Sequence, residues 1–153
     1  MRQLRAAALL PGVVAIAVPA LLVWLGGANV QPVTAVLGAV TFALGLVLVV
    51  WTVTLFAKVG HGTLAPWDPT SRLVVRGPYR HVRNPMITGV GTMLAGQALF
   101  FRSWPIAIEL ALFAVVNAIY FPLVEEPGLR DRFGKDYEEY CARVPRWLPR
   151  LRP

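Results

Sequence analysis

The sequence predicts an all-α integral membrane protein with four transmembrane helices, the last two paired as a helical hairpin, followed by a C-terminal amphipathic helix. Three observations carry this. Of 153 residues, 56% are hydrophobic and 15% charged, where a soluble domain carries about 25% charged, and mean hydropathy is +0.57. The apolar residues gather into four runs, and a helix of about 20 such residues crosses the roughly 30 Å of bilayer hydrocarbon. Fourteen of the 15 Lys and Arg fall on one side of those runs. In such a chain a net charge of +7 reads as contact with anionic lipid headgroups and the positive-inside bias, not as nucleic-acid binding. The length suits one domain, residues 1–153.

The first span is predicted over 6–25, after Arg2 and Arg5, with Pro11 and Pro19 kinking it. At 20 apolar residues it exceeds a signal-peptide core and has no clean cleavage site, so it reads as a retained span. An uncharged turn, Gly26 to Pro32, leads to a second span over 33–57, where Gly38 and Gly45 permit close helix contact. Lys58 to Asn84 reads as a loop of 27 residues holding five basic side chains, and loops of such length are often functional. Pro85 opens a third apolar run over 85–101, in the helical position that needs no backbone donor. After a tight turn at Arg102–Ser103–Trp104, Pro105 opens the fourth span over 105–124. This span carries Glu109, expected to snorkel to the outer interface, and Asn117, expected to bridge helices or line a site.

Beyond Glu125–Glu126–Pro127–Gly128, the residues Leu129, Phe133, Tyr137, Tyr140 and Val144 recur at helical spacing opposite a charged face. That pattern predicts an amphipathic helix along the membrane surface. Arg2 and Arg5, five basic residues in 58–84 and seven after the fourth span share one side, with Arg102 alone opposite. Both termini and the polar segments are therefore expected in the cytosol.

The usual signatures of soluble enzymes are missing from the sequence: it has no metal-spaced His or Cys set, no nucleophile elbow and no phosphate loop. Gly89–Val90–Gly91 reads as a packing notch rather than a nucleotide contact, and the lone Cys141 as an inert thiol. Two polar features remain. Arg80 and Arg83 stand at the mouth of the third span, and Glu125 and Glu126 at the mouth of the fourth. In a hairpin both lie at one membrane level. They form either a structural salt bridge or a clamp for a zwitterionic ligand, whose carboxylate a guanidinium binds bidentately.

The string Gly77-Pro78-Tyr79-Arg80-x-Val82-Arg83-Asn84-Pro85-Met86, then Glu125-Glu126-x-x-Leu129, Phe133-Gly134-x-x-Tyr137-x-x-Tyr140 and Val144-Pro145-Arg146, resembles the isoprenylcysteine carboxyl methyltransferase family and the related phospholipid methyltransferases. The likeness covers roughly residues 70–150. It implies a membrane methyltransferase using S-adenosyl-L-methionine. Carried over, the cofactor-binding residues are Ser71, Arg72, Leu73, Val74, Tyr79, Asn84, Pro85, Met86, Ile87 and Glu125. Arg83 and Glu126 are the candidate catalytic pair, and Phe121 and Arg146 the candidate substrate contacts. Asn84 and Ile87 stand where the family commonly has His and Tyr, and Phe121 stands where the prenylcysteine enzymes carry an Arg. The expected activity is methyl transfer to a lipophilic or small acceptor at the cytosolic face, with membrane lipids as partners. Phospholipid N-methylation, a nicotinamide-dependent membrane reductase and a non-enzymatic membrane scaffold are the alternatives.

Overall fold

The computed structural model describes residues 12–55, 58 and 73–150. Among these the secondary structure is entirely helical, without a strand. Helix α1 is Val13–Gly26, α2 is Pro32–Leu55, α3 is Pro85–Phe101, α4 is the continuous Trp104–Phe133 and α5 is Lys135–Arg143. A 3₁₀ turn, Gly77–Arg80, precedes α3.

Helices α2 and α4 are each long and apolar enough to cross a membrane, with only 11% and 6% of their most apolar windows buried. A core helix of a soluble protein would bury that surface. Here Val36, Leu37, Val40, Leu44 and Val47 on α2, and Ile108, Leu112, Val115, Val116 and Ile119 on α4, stay more than half exposed. Helices α1 and α3 are apolar but shorter.

Helices α2 and α3 run antiparallel along a seam of glycines. A Cβ at Gly38 would lie 2.5 Å from the Phe100 amide nitrogen, and one at Gly96 would lie 2.5 Å from that of Phe42. One at Gly45 would lie 2.6 Å from the Gly89 carbonyl oxygen. Backbones at this separation admit no side chain, so attraction comes from dense van der Waals contact, the force available where lipid removes the hydrophobic drive. Gly89 is thus the packing notch expected of it. Gly91 faces away, toward Leu110 of α4.

Pro19 frees a carbonyl that the structure accounts for, whereas Pro11 lies outside the described residues. Pro19 has no N–H for the carbonyl of Ala15, and the chain widens into a π-turn over Val13–Ala17. Gln97 of α3 donates to that freed Ala15 carbonyl at 2.8 Å, beside the core of Ala15, Val90, Met93, Leu94 and Ile106. At the far end of the bundle the Asn29 amide donates to the Phe101 carbonyl. Arg102, in the left-handed region at φ 47°, then ends α3.

Three expectations are corrected. The fourth helix does not stop at 124. It widens into a π-turn over Phe121–Glu125, which contains Pro122 and precedes Pro127, and continues to Phe133. Thirty residues at about 1.5 Å each reach roughly 45 Å, so its charged last turns project beyond a bilayer core. The amphipathic segment is therefore two pieces, broken at Gly134 with φ 52°. Its apolar stripe turns inward: Tyr137, Tyr140 and Val144 are buried and pack with Leu73, Leu129 and Phe133. The Asn117 side-chain amide donates to the Phe113 carbonyl of its own helix at 2.7 Å and, among the described residues, bridges to no other helix.

Candidate functional site

The C-terminal end of α2, the start of α3, the end of α4 and helix α5 meet at one end of the bundle. The segment before α3 is organised rather than loose. Gly77, at φ 57°, starts a 3₁₀ turn that buries Pro78 and Tyr79. The chain then runs beside the C-terminal segment: the Arg83 amide donates to the Pro145 carbonyl at 2.9 Å, and the Arg150 amide to the His81 carbonyl at 3.0 Å. His81 Nδ1 lies 2.7 Å from the Arg150 carbonyl oxygen. Tyr140 donates its hydroxyl to the Tyr79 carbonyl at 2.8 Å, both residues being buried.

Glu126 is the centre of this end. It is 3% exposed, yet three guanidinium hydrogen bonds reach its carboxylate. Arg83 Nη1 donates to Oε1 at 3.0 Å. Arg146 grips both oxygens, Nε to Oε1 at 2.6 Å and Nη2 to Oε2 at 2.8 Å. A buried charge is tolerable only when paired and hydrogen-bonded in this way. The same contact pushes the pKa of Arg146 up, chiefly through its hydrogen bond to Glu126. Arg83 Nη1 also lies 2.9 Å from Cys141 Sγ. Burial raises the pKa of Tyr79, Tyr137 and Tyr140 above the ordinary phenol value, so these hydroxyls stay neutral donors.

Of the candidate residues, the structure joins Arg83, Glu126 and Arg146 in one network. Sequence reasoning separated them into a catalytic pair and a substrate contact. Asn84 stands at the N-cap of α3 with φ −121° and ψ 56° and no side-chain capping bond, and its carbonyl accepts from the Thr88 amide at 3.1 Å. Pro85 is buried, while Met86 and Ile87 are partly exposed. Val74 is buried, and Leu73 packs under the Tyr137–Tyr140 cluster. Glu125 is half-buried next to Glu126. Phe121 meets Trp147 edge-on, ring centres 5.7 Å apart, which ties the C-terminal segment to α4. Ser71 and Arg72 lie outside the described residues.

Two buried donors at this end have no hydrogen-bond partner among the described residues: Arg83 Nε and Asn84 Nδ2. They are consecutive along the chain and stand at the mouth of α3. A carboxylate or another acceptor-rich ligand suits such donors, so the residues present fit the amino-acid end of S-adenosylmethionine. Sequence reasoning missed Tyr140 as a hydroxyl donor, Cys141 as a contact of Arg83, and Trp147 as the partner of Phe121. The helical spacing of Tyr137, Tyr140 and Val144 was the available signal, but it did not say that the stripe packs on the chain itself.

A family model described as phospholipid methyltransferase matches residues 33–136, that is 104 of the 153 residues, from α2 to the start of α5. No curated protein matches the chain. The matched stretch includes the whole glycine seam, Arg83, Asn84 and the Glu125–Glu126 pair, and two helices within or overlapping it are apolar and long enough to span a membrane. The chain belongs to the phospholipid methyltransferase family, a family of membrane-associated methyltransferases acting on lipid-related substrates.

Proposed function

We propose that this protein is a four-span membrane methyltransferase that uses S-adenosyl-L-methionine, with both termini and the active site on the cytosolic face. The observation that carries this reading, beside the family match, is the pair of buried donors Arg83 Nε and Asn84 Nδ2 next to the Glu126 junction. Leu73, Val74, Tyr79, Asn84 to Ile87 and Glu125 would hold the cofactor, with Ser71 and Arg72 completing that set. S-adenosylmethionine, when bound, supplies a methyl group activated by a sulfonium charge.

The chain's own contribution is positional. Glu126 fixes Arg83 and Arg146 at set distances, so the guanidinium groups meet a ligand already oriented. The apolar surfaces of α3 and α4 keep water from the reacting centre, and this strengthens charge interactions there. The acceptor is lipid-like and enters between the helices at the level of Glu125. Phe121, an apolar ring set against Trp147, offers no cation for a prenylcysteine carboxylate. With the family match, this favours an amine-bearing phospholipid headgroup over a prenylcysteine.

Calorimetry in detergent tests the cofactor. We expect saturable binding of S-adenosylmethionine, strongly weakened by Glu125→Ala and Tyr79→Ala. No binding at roughly millimolar cofactor would sink the reading. Transfer of labelled methyl to phosphatidylethanolamine in vesicles supports the amine acceptor, and transfer only to a prenylcysteine carboxylate overturns it.

A further inference from the structure

The junction consumes Arg83 and Arg146 but leaves other arginines at the same end. Arg76, Arg80 and Arg143 line one groove together with Val75 and Gly77. Arg76 and Arg80 are exposed and, among the described residues, have no carboxylate partner. Arg143 meets Glu139 at 3.6 Å, with both side chains more than 70% exposed, a contact of little strength in water. Arg150 adds a fourth guanidinium, Nη1 donating to the Arg143 carbonyl at 3.3 Å. The groove thus concentrates positive charge with one weakly held counter-charge.

Its position is set by Gly77. A Cβ there would lie 3.0 Å from Leu55 Cδ1 and 3.3 Å from Trp51 Cζ2, so the groove rests on the last turns of α2. Trp51 is about half exposed, at 52%, and half-exposed tryptophans at the end of an apolar helix sit at headgroup depth. Val75, partly exposed, adds an apolar patch beside the guanidinium rim. Guanidinium groups bind phosphate oxygens bidentately, and at that depth in a membrane the phosphates within reach belong to lipids.

We infer that the Arg76–Arg80–Arg143 groove binds the phosphate of an anionic membrane lipid, at a site separate from the Glu126 junction. Arg76 and Arg80 come from the segment before α3, whereas Arg143 ends α5. One phosphate between them clamps α5 against the membrane end of the bundle. The inference rests on α2 spanning the bilayer and does not depend on the methyltransferase chemistry.

The test titrates short-chain phosphatidylglycerol, short-chain phosphatidylcholine and inorganic phosphate into the full-length protein in neutral detergent, read by calorimetry. The wild type should bind phosphatidylglycerol more tightly than either control. The double variant Arg76→Gln, Arg80→Gln should lose roughly thirtyfold in affinity, about fivefold per arginine. Lys135→Gln, which removes a single charge from exposed α5, should lose less than about twofold. Equal losses per charge removed in the two variants would reduce the effect to net charge and overturn the site. Inorganic phosphate binding as tightly as the lipid would overturn the lipid assignment. Cofactor binding measured on Arg76→Gln alone should be unchanged, so failure of the groove and failure of the cofactor site read out separately.

Discussion

The α2–α3 seam and the Glu126 junction are both buried and both closed by short contacts, yet they are made of opposite materials. The seam is backbone against backbone, with glycines removing every atom that could intervene. The junction is one carboxylate under three guanidinium hydrogen bonds. The seam resists added volume and is indifferent to charge. The junction tolerates some looseness but not the loss of a charge. A membrane enzyme needs both: a rigid apolar frame that sets the helix ends, and a polar cluster at those ends that can exchange partners with a ligand.

The largest expected effect falls on the junction. Glu126→Ala leaves Arg83 and Arg146 facing each other, and breaking a buried pair from one side costs about 3–5 kcal/mol. Arg146→Ala should cost clearly less, because Arg146 is one-third exposed and water replaces part of what it loses. Thermal unfolding in detergent checks both. Equal losses would show that burial of Glu126 is not what makes the junction sensitive.

Next comes the seam. Gly96→Ala places a methyl 2.5 Å from the Phe42 amide nitrogen and 2.7 Å from the Gly38 carbonyl oxygen. Neither neighbour is a flexible side chain, so the helices must part, at about 1–3 kcal/mol or more. The loss should appear in unfolding and leave the salt dependence of stability unchanged. A wild-type melting temperature in Gly96→Ala would mean that the helices are not held this closely.

A smaller effect is expected at Tyr140→Phe, which removes the hydrogen bond to the Tyr79 carbonyl and costs about 0.5–1.5 kcal/mol. The same cluster predicts a pH dependence. Burial raises the pKa of Tyr79, Tyr137 and Tyr140, so above pH about 10 the unfolded chain has lost protons that the folded chain keeps. The stability linked to these groups is whole below that pH and falls as pH rises past it. An alkaline melting series should show the decline, and Tyr140→Phe should blunt it.

What was legible in the sequence follows the same division. The apolar runs, their proline starts and the glycines at 38, 45 and 89 marked close helix contact, because packing without side chains leaves a mark in composition. The expected pairing was of the third and fourth runs, whereas the seam joins the second and third. The polar end was legible only in its members. Arg83, Glu126 and Arg146 stood out as residues, but their joining in one network did not. The reason lies in the π-turn at Phe121–Glu125: one extra residue rotates everything after it by about 100°. Counting helical positions from Asn117 therefore fails to say which glutamate faces inward. The segment 129–144 was read as one amphipathic helix with its apolar stripe on the membrane surface. The break at Gly134 folds it back on Leu73, and a left-handed glycine does not announce the direction of the turn it makes.

The finest separation within the seam helix comes from its two neighbouring glycines. A Cβ at Gly89 would lie 2.8 Å from Val49 Cγ2 and 3.1 Å from the Gly45 carbonyl oxygen. At Gly91 the nearest atom is Leu110 Cδ1, at an ordinary 3.7 Å. Both glycines cost backbone entropy in mid-helix, so an alanine that fits gains about 0.5–1 kcal/mol. Gly91→Ala should therefore leave stability unchanged or raise it slightly, while Gly89→Ala lowers it. The two differ by two positions on one helix and by nothing in chemistry, so opposite signs isolate the seam as the cause. Equal losses would place α4 as close to α3 as α2 is, and the rigid frame would then be three helices rather than two.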